Sequence, residues 1–261
     1  MHQTSPVFIT VVDGYTLNPG DLDWQPLAKL GQLSVFDHST REVLLERARK
    51  AHIILANKAP FDADIIRQLP QLRCICVTAT GYNNIDILAA RERGITVCNV
   101  TGYGTETVAQ HVFALLLELT NAVGRHHASV RNGDWARAGD FCYPLQPIIE
   151  LSGRTMGIYG FGRNGHQLAR ISHAFGMQVL ATHKHPQRDA MPQVQFVDVH
   201  TLFQQSDVIS LHAPLTPENE RFINAKLLAT MRPHALLINT ARGALIHETD
   251  LRQALETGQI A

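Results

Sequence analysis

The 261-residue chain has no surplus of either charge: 23 Lys and Arg balance 23 Asp and Glu. A balanced chain projects no field that favours nucleic acid or an anionic membrane, so neither partner is expected. Long apolar runs are also missing. The longest, FALLLEL at 113–119, is far too short to span a bilayer. The opening MHQTSPVFITVVDG has neither a basic n-region nor a small-residue cleavage site, so it reads as no signal peptide. Low-complexity tracts are absent. Cysteines are few, and four of them (Cys74, Cys76, Cys98 and Cys142) make no disulfide framework in a chain this long. Cys74 and Cys76 alternate in RCICVT and so face one side of a strand, where they read as reduced thiols in a sheet core. A cytoplasmic compartment follows. The fourteen histidines include no HExxH, and the pairs His126–His127 and His183–His185 lack a converging cysteine or carboxylate set, so no metal is expected.

What is present is a repeated alternation. Apolar, β-branched runs at VFITVVD, LSVFD, HIILAN, CICVTA and ITVCNV are separated by helical segments such as TREVLLERARK (40–50) and NIDILAARERG (84–94). Short continuous strands alternating with amphipathic helices imply βα units and a parallel sheet covered on both faces. A long helix is predicted from about Thr105 to Val123, with Thr105 as its N-cap. Val108, Val112, Leu115, Leu116 and Leu119 give it an apolar face broad enough to be central or to form half of a subunit interface. The stretch 124–147, rich in Gly, Pro and aromatics, reads as a connector or arm. After Gly153 the alternation restarts with TMGIYG, a helix over 163–175, MQVLAT, VQFVD, DVISLHAPL and HALLINTAR, a second doubly wound sheet.

Gly160, Gly162 and Gly165 form G-x-G-x-x-G between the first of these strands and its helix. Gly160 suits a tight turn, Gly162 lets the backbone approach a pyrophosphate, and Gly165 allows the helix to pack on the strand. Amides of residues 162–165 would then hold phosphates at the helix N-terminus. An acid that would bind the ribose is expected 18 residues after Gly165, but the chain has His183 there, followed by Lys184 and with Arg188 nearby. At ~5 Å and an effective dielectric near ~20, one pair of unit charges is worth ~3 kcal/mol, or roughly a hundredfold in affinity. Exchanging an acid for these groups removes repulsion toward a 2′-phosphate and supplies cations. NADP(H) is therefore favoured, with NAD(H) as the alternative.

Three further stretches end strands in polar chemistry. VTATGYNNID places Gly81 where backbone amides could hold an anion. SLHAPLTPEN carries His212 and two prolines. LINTARGAL places Arg242 at the carboxyl end of a parallel strand, suited to a carboxylate or a polarised carbonyl.

These motifs, with GITVCNVTGYGTETVAQH and LLINTARGALIHETDL, resemble the D-isomer-specific 2-hydroxyacid dehydrogenases over essentially the whole chain. TLNPGDLDWQPL, ANKAPFDADI and RNGDWARAGDFCYPLQPI are most similar to the glycerate dehydrogenase/hydroxypyruvate (glyoxylate) reductase branch. The resemblance implies a flavodoxin-like substrate domain (1–100), completed by a C-terminal helix, and a Rossmann dinucleotide domain (101–261). It implies an active site in the cleft between them and a homodimer built on helix 105–123 and the following arm. It assigns catalysis to Arg242, substrate binding to Asn57, Lys58, Thr80 and Gly81, and cofactor contacts to Thr107, Gly160, Gly162, Arg163, Asn164, Gly165, His183, Lys184, Pro214, Thr240 and Arg242. The implied reaction is hydride transfer between NAD(P)H and a small 2-oxo/2-hydroxy acid, hydroxypyruvate or glyoxylate, against a bulkier 2-oxo acid as the alternative.

Three departures stand out. Thr101 stands where the family commonly has proline, and His247 where it commonly has aspartate. Family members also continue about sixty residues past ETGQIA, through the Glu–His pair that does the acid–base work. None of the fourteen histidines matches that catalytic one, so the expectation is that this chain turns over poorly. The competing reading is a non-catalytic NAD(P)(H)-binding sensor on the same fold.

Overall fold

The computed structural model describes residues 6–261, and the chain divides between Tyr103 and Gly104 into two compact units. The first five residues, part of the stretch read as no signal peptide, lie outside the described residues. No helix among the described residues is long and apolar enough to cross a membrane.

The first unit alternates β1 (Phe8–Val11), α1 (Gln25–Ala28), β2 (Gln32–Val35), α2 (Arg41–Ala48), β3 (Ile53–Ala56), α3 (Ala63–Arg67), β4 (Cys74–Val77), α4 (Ile87–Glu92) and β5 (Thr96–Asn99). The sheet is parallel throughout, in the order β2-β1-β3-β4-β5. Local signals set the helix starts: Asp62 and Asp86 are N-caps whose side chains accept from the Ile65 and Ala89 amides. A right-handed crossover puts its helix on the face dictated by the direction of travel across the sheet. The step β1 to β2 runs one way, and all later steps run the other. Helices α2, α3 and α4 therefore share one face, and Leu44, Ala48, Ile65, Ile66 and Ala89 make the core with Ile54, Ile75 and Val77.

The same rule puts α1 on the opposite face, beside β2. On that face Ile53, Leu55, Cys74 and Cys76 are half-buried, and Thr96 and Cys98 are exposed. The sheet is thus wound on both faces, as the alternation predicts, with α1 on one and α2, α3 and α4 on the other. Cys74 and Cys76, expected in the core, are half-buried on the α1 face.

The second unit comprises α5 (Thr105–Asn121), α6 (Val123–Arg131), α7 (Asp134–Arg137), β6 (Thr155–Tyr159), α8 (Arg163–Ala174), β7 (Gln178–Thr182), β8 (Val194–Phe196), α9 (Val199–Gln205), β9 (Val208–Leu211), α10 (Ala225–Leu228), β10 (Leu236–Asn239) and α11 (Glu248–Glu256). Its parallel order is β10-β9-β6-β7-β8. The chain steps outward from β6 to β8, then returns to the other side of β6 for β9 and β10, so both faces gain helices. Ala109, Val112, Phe113, Leu116 and Leu168 pack with Met156 and Ile158 on one face. Leu202, Phe203, Leu227, Leu228 and Ala254 pack with Ile209 and Leu211 on the other.

The N-cap of α5 is Gly104, with no side-chain cap, so Thr105 is the first helical residue rather than the cap. The helix stops at Asn121 because Ala122 turns left-handed at φ 48°. Two helices, α6 and α7, then occupy much of the stretch read as a connector. Of the five apolar residues in the predicted face, Val112 and Leu116 are buried, whereas Leu115 and Leu119 remain exposed. The small Ala109 and the polar Thr120 take buried places that a purely apolar pattern passes over.

Candidate functional site

The reversal of strand order falls between β6 and β9, and an open parallel sheet binds ligands outside the carboxyl ends of its strands at such a point. Gly160 follows β6 at φ 96°, and a Cβ there would lie 2.5 Å from the Ala213 nitrogen and 2.8 Å from the His212 carbonyl carbon. Backbone against backbone admits no side chain. Gly165 is held as tightly, since a Cβ would meet the Gly160 oxygen at 2.7 Å. Gly162 differs: its backbone is extended and nothing lies within 4 Å of a built Cβ. It is also the N-cap of α8 and offers no side chain to its first amides. Those amides, with the positive end of the helix dipole, face open space at Gly162, Arg163 and Asn164, and this suits a pyrophosphate. Arg163 is exposed and Asn164 half-buried.

At the end of β7, His183 is half-buried and its Nε2 lies 2.6 Å from Asp189 Oδ2. Arg188 Nη2 donates to the same oxygen at 2.6 Å. The Arg188 guanidinium first, and His183 with it, hold the Asp189 carboxyl down to about 2. A carboxylate is therefore present beside His183 after all, contributed from six residues downstream. It engages the arginine that the sequence offered to a phosphate. Lys184 is exposed and forms no ion pair among the described residues.

The loops after β9 and β10 complete this edge of the sheet. Ser210 Oγ lies 2.8 Å from His212 Nε2, and burial pushes the His212 imidazole down to about 4, keeping it neutral. Pro214 is exposed, and its carbonyl accepts from Asn219 Nδ2 at 2.8 Å. The Thr240 hydroxyl is buried without a protein partner, which leaves a donor and acceptor for a bound group. Arg242 is exposed and pairs with no carboxylate among the described residues. Its loop is held by Asn239, whose Nδ2 donates to the Arg242 carbonyl at 2.8 Å and whose Oδ1 accepts from Ala241 N–H at 3.0 Å. Thr107 is exposed on the first turn of α5.

Asn57, Lys58, Thr80 and Gly81 lie in the first unit, at the carboxyl ends of β3 and β4. Among the described residues the amides of Thr80 and Gly81 donate to no protein acceptor. Their loop is fixed instead by Thr80 Oγ1 donating to Val100 O at 2.9 Å and Asn99 Nδ2 donating to Thr80 O at 2.7 Å. Asp13, buried at the end of β1, accepts from the amides of Asn57 (2.8 Å), Lys58 (2.5 Å) and Ala59 (2.8 Å). Asn57 Nδ2 in turn donates to Thr16 Oγ1 at 2.9 Å. Replacing Asp13 by alanine is expected to strand three amides and cost about 3 kcal/mol or more. Asp13→Asn should cost less. Denaturant unfolding of both variants measures this, and equal losses would show that the carboxylate is not the tie.

Asp13, Asn239 and Asp189 are functional candidates that sequence reasoning missed. The first two lie inside quoted stretches but read as ordinary polar residues. Asp189 could be found only once the loop after β7 is folded back. Among the described residues, Cys74, Cys76 and Cys98 bring their sulfurs within 4.8 Å of one another.

Residues 113–261 match the family model described as D-isomer specific 2-hydroxyacid dehydrogenase, NAD binding domain. A hydroxypyruvate reductase of Blautia hydrogenotrophica is 42% identical over 258 residues, covering 97% of this chain and 80% of the relative. A glycerate dehydrogenase of Methylorubrum extorquens is 44% identical over 221 residues, 85% of this chain and 68% of the relative. Among solved structures, an acyclic imino acid reductase in complex with NADPH and D-Arg superposes with a TM-score of 0.86 at 30% identity, covering 97% of this chain and 80% of its own. A D-lactate dehydrogenase from Aquifex aeolicus, complexed with NAD and lactic acid, has a TM-score of 0.82 at 27% identity, covering 97% and 74%.

Proposed function

The chain belongs to the D-isomer specific 2-hydroxyacid dehydrogenases, and on that premise we propose that it transfers hydride from a reduced nicotinamide dinucleotide to the 2-oxo carbon of hydroxypyruvate or glyoxylate. The observation that carries this reading is an unpaired, exposed Arg242 on the same sheet edge as the open Gly162 turn. When bound, the dinucleotide supplies the hydride. Gly160, Gly162, Arg163, Asn164 and Gly165 are assigned to its pyrophosphate, and Thr107, Pro214 and Thr240 to the rest of its length. The Arg242 guanidinium is assigned to the substrate's carbonyl oxygen, where it stabilises the charge that grows as hydride arrives. On the first unit, the Thr80 and Gly81 amides are assigned to the substrate carboxylate, with Asn57 and Lys58 beside it. Following nucleotide oxidation with hydroxypyruvate, glyoxylate and pyruvate tests the reading; a preference for pyruvate would overturn the substrate assignment.

NADP(H) is the favoured nucleotide and NAD(H) the alternative. His183 and Lys184 stand where an acid would repel a 2′-phosphate, and Arg188 offsets the charge of Asp189. His183→Asp should shift the NADPH/NADH affinity ratio toward NADH by about tenfold, the full Coulomb value being reduced by solvent. Asp189→Asn should release Arg188 and shift the ratio toward NADPH. Fluorescence titration reads both, and unchanged ratios would show that this loop does not reach the ribose.

A homodimer is part of the same reading. Leu115, Leu119, Val123, Val130 and Trp135 are exposed along α5, α6 and α7, more apolar surface than isolated exposed residues account for. Light scattering should give twice the chain mass of 28.9 kDa, and Leu119→Glu should halve it. A monomeric wild type would contradict the proposal.

A further inference from the structure

Away from the nucleotide turn, the α1 face of the first sheet carries three cysteines, Cys74, Cys76 and Cys98. The two-residue period of β4 puts Cys74 and Cys76 on one side. The parallel register pairs Cys76 with Cys98 on β5. The sulfurs of Cys74 and Cys76 are 3.7 Å apart, and those of Cys76 and Cys98 are 3.5 Å apart. An ion bound to sulfur at ~2.3 Å in trigonal or tetrahedral geometry holds its sulfurs ~3.8–4.0 Å apart. The strands thus present three soft donors, two pairs of them close to that spacing and all three within 4.8 Å of one another. Ile53 and Leu55 on β3 flank them with apolar surface. Cys98 opens onto a groove along the sheet edge that Tyr82, Arg91 and Thr96 also line.

We propose that Cys74, Cys76 and Cys98 form a binding site for one soft, thiophilic d10 cation such as Zn2+ or Cu+, held by three thiolates on the face of β4 and β5. The third sulfur is what favours an ion over a disulfide, because a Cys76–Cys98 bridge would leave Cys74 idle at the same distance. Burial pushes the Cys76 thiol up strongly and Cys74 up as well, so these two stay protonated without the ion. Binding must therefore release protons, and the affinity must rise with pH. Arg91 and Tyr82 are the other titratable groups lining the groove, and the remaining neighbours on this face, Ile53, Leu55 and Thr96, do not titrate. The site is distinct from the residues assigned to hydride transfer.

The test is a Cd2+ titration of the fully reduced chain, followed by the ultraviolet thiolate-to-metal charge-transfer band. The expected result is saturation at one ion per chain with release of two or three protons. Cys74→Ser, Cys76→Ser and Cys98→Ser should each weaken binding by about tenfold or more, whereas Cys142→Ser should leave it unchanged. Thermal unfolding followed by circular dichroism serves as the folding control for every variant. If a serine variant fails that control, proton release by the wild type still decides the matter. Absence of the band, fewer than two protons released, or a band lost only in Cys142→Ser would overturn the site. So would loss of two hydrogens in mass on exposure of the metal-free chain to air, which would make Cys76 and Cys98 a redox pair.

Discussion

Replacing Gly162 with valine is expected to weaken NADPH binding by at least about a hundredfold while leaving the unit folded. The extended backbone at Gly162 accepts any side chain, and nothing lies within 4 Å of the added Cβ. The protein itself therefore loses little, no more than about 1 kcal/mol for a poorer helix N-cap. The new methyl groups would occupy the space in which α8 presents its first free amides. A phosphate displaced from those amides forfeits several charge-assisted hydrogen bonds together with the helix dipole. Gly160→Ala makes the complementary case. Its Cβ would collide with the Ala213 backbone at 2.5 Å from a left-handed φ of 96°, so both folding and binding should fail. Thermal unfolding and fluorescence titration of the two variants separate the effects. If Gly162→Val binds NADPH normally, the pyrophosphate does not sit at this turn.

Arg242→Gln is expected to lower the rate of hydroxypyruvate reduction by about a thousandfold, in line with the loss of a preorganised electrostatic partner. The side chain is exposed and, among the described residues, makes one internal hydrogen bond, to the Ala241 carbonyl, so the unfolding midpoint should hold. Asn239 grips the backbone of this loop rather than the guanidinium, and the loop should keep its course. Arg242→Lys preserves the charge but not the planar fork, and should recover only part of the rate. The measurement is the rate at saturating nucleotide, compared with the nucleotide affinity. A loss under threefold would return Arg242 to the status of a surface arginine.

How much of this was legible in the sequence depends on the range of the interactions. The strands of both sheets and the α8 start were legible because β-branched runs and the glycine spacing are local signals. The N-cap of α5 was misplaced by one residue, because glycine and threonine both suit the position and only the backbone decides. Helices α6 and α7 were hidden by glycines and aromatics that the local pattern associates with connectors. Which face each helix of the first sheet covers follows from crossover direction, which the strand string does not contain until the order β2-β1-β3-β4-β5 is known. The functional misses share one cause. Asp13 reaches amides 44 to 46 residues away, Cys76 meets Cys98 across 22, and Asp189 meets His183 by a turn whose path no residue type announces. The glycine turn, by contrast, is contained within six consecutive residues, and the strand and helix around it were legible too.

The most direct test mixes the chain, saturated with NADPH, with hydroxypyruvate in a single turnover and follows loss of the reduced nicotinamide absorbance. Positioning and electrostatic polarisation by this chain should make the oxidation depend on hydroxypyruvate, even when water supplies the proton. The account predicts oxidation well above the rate without hydroxypyruvate, with D-glycerate formed and the signal lost in Arg242→Gln. NADPH that binds tightly yet is oxidised no faster with hydroxypyruvate, glyoxylate or pyruvate than without them would contradict it, leaving a chain that binds the nucleotide without using it.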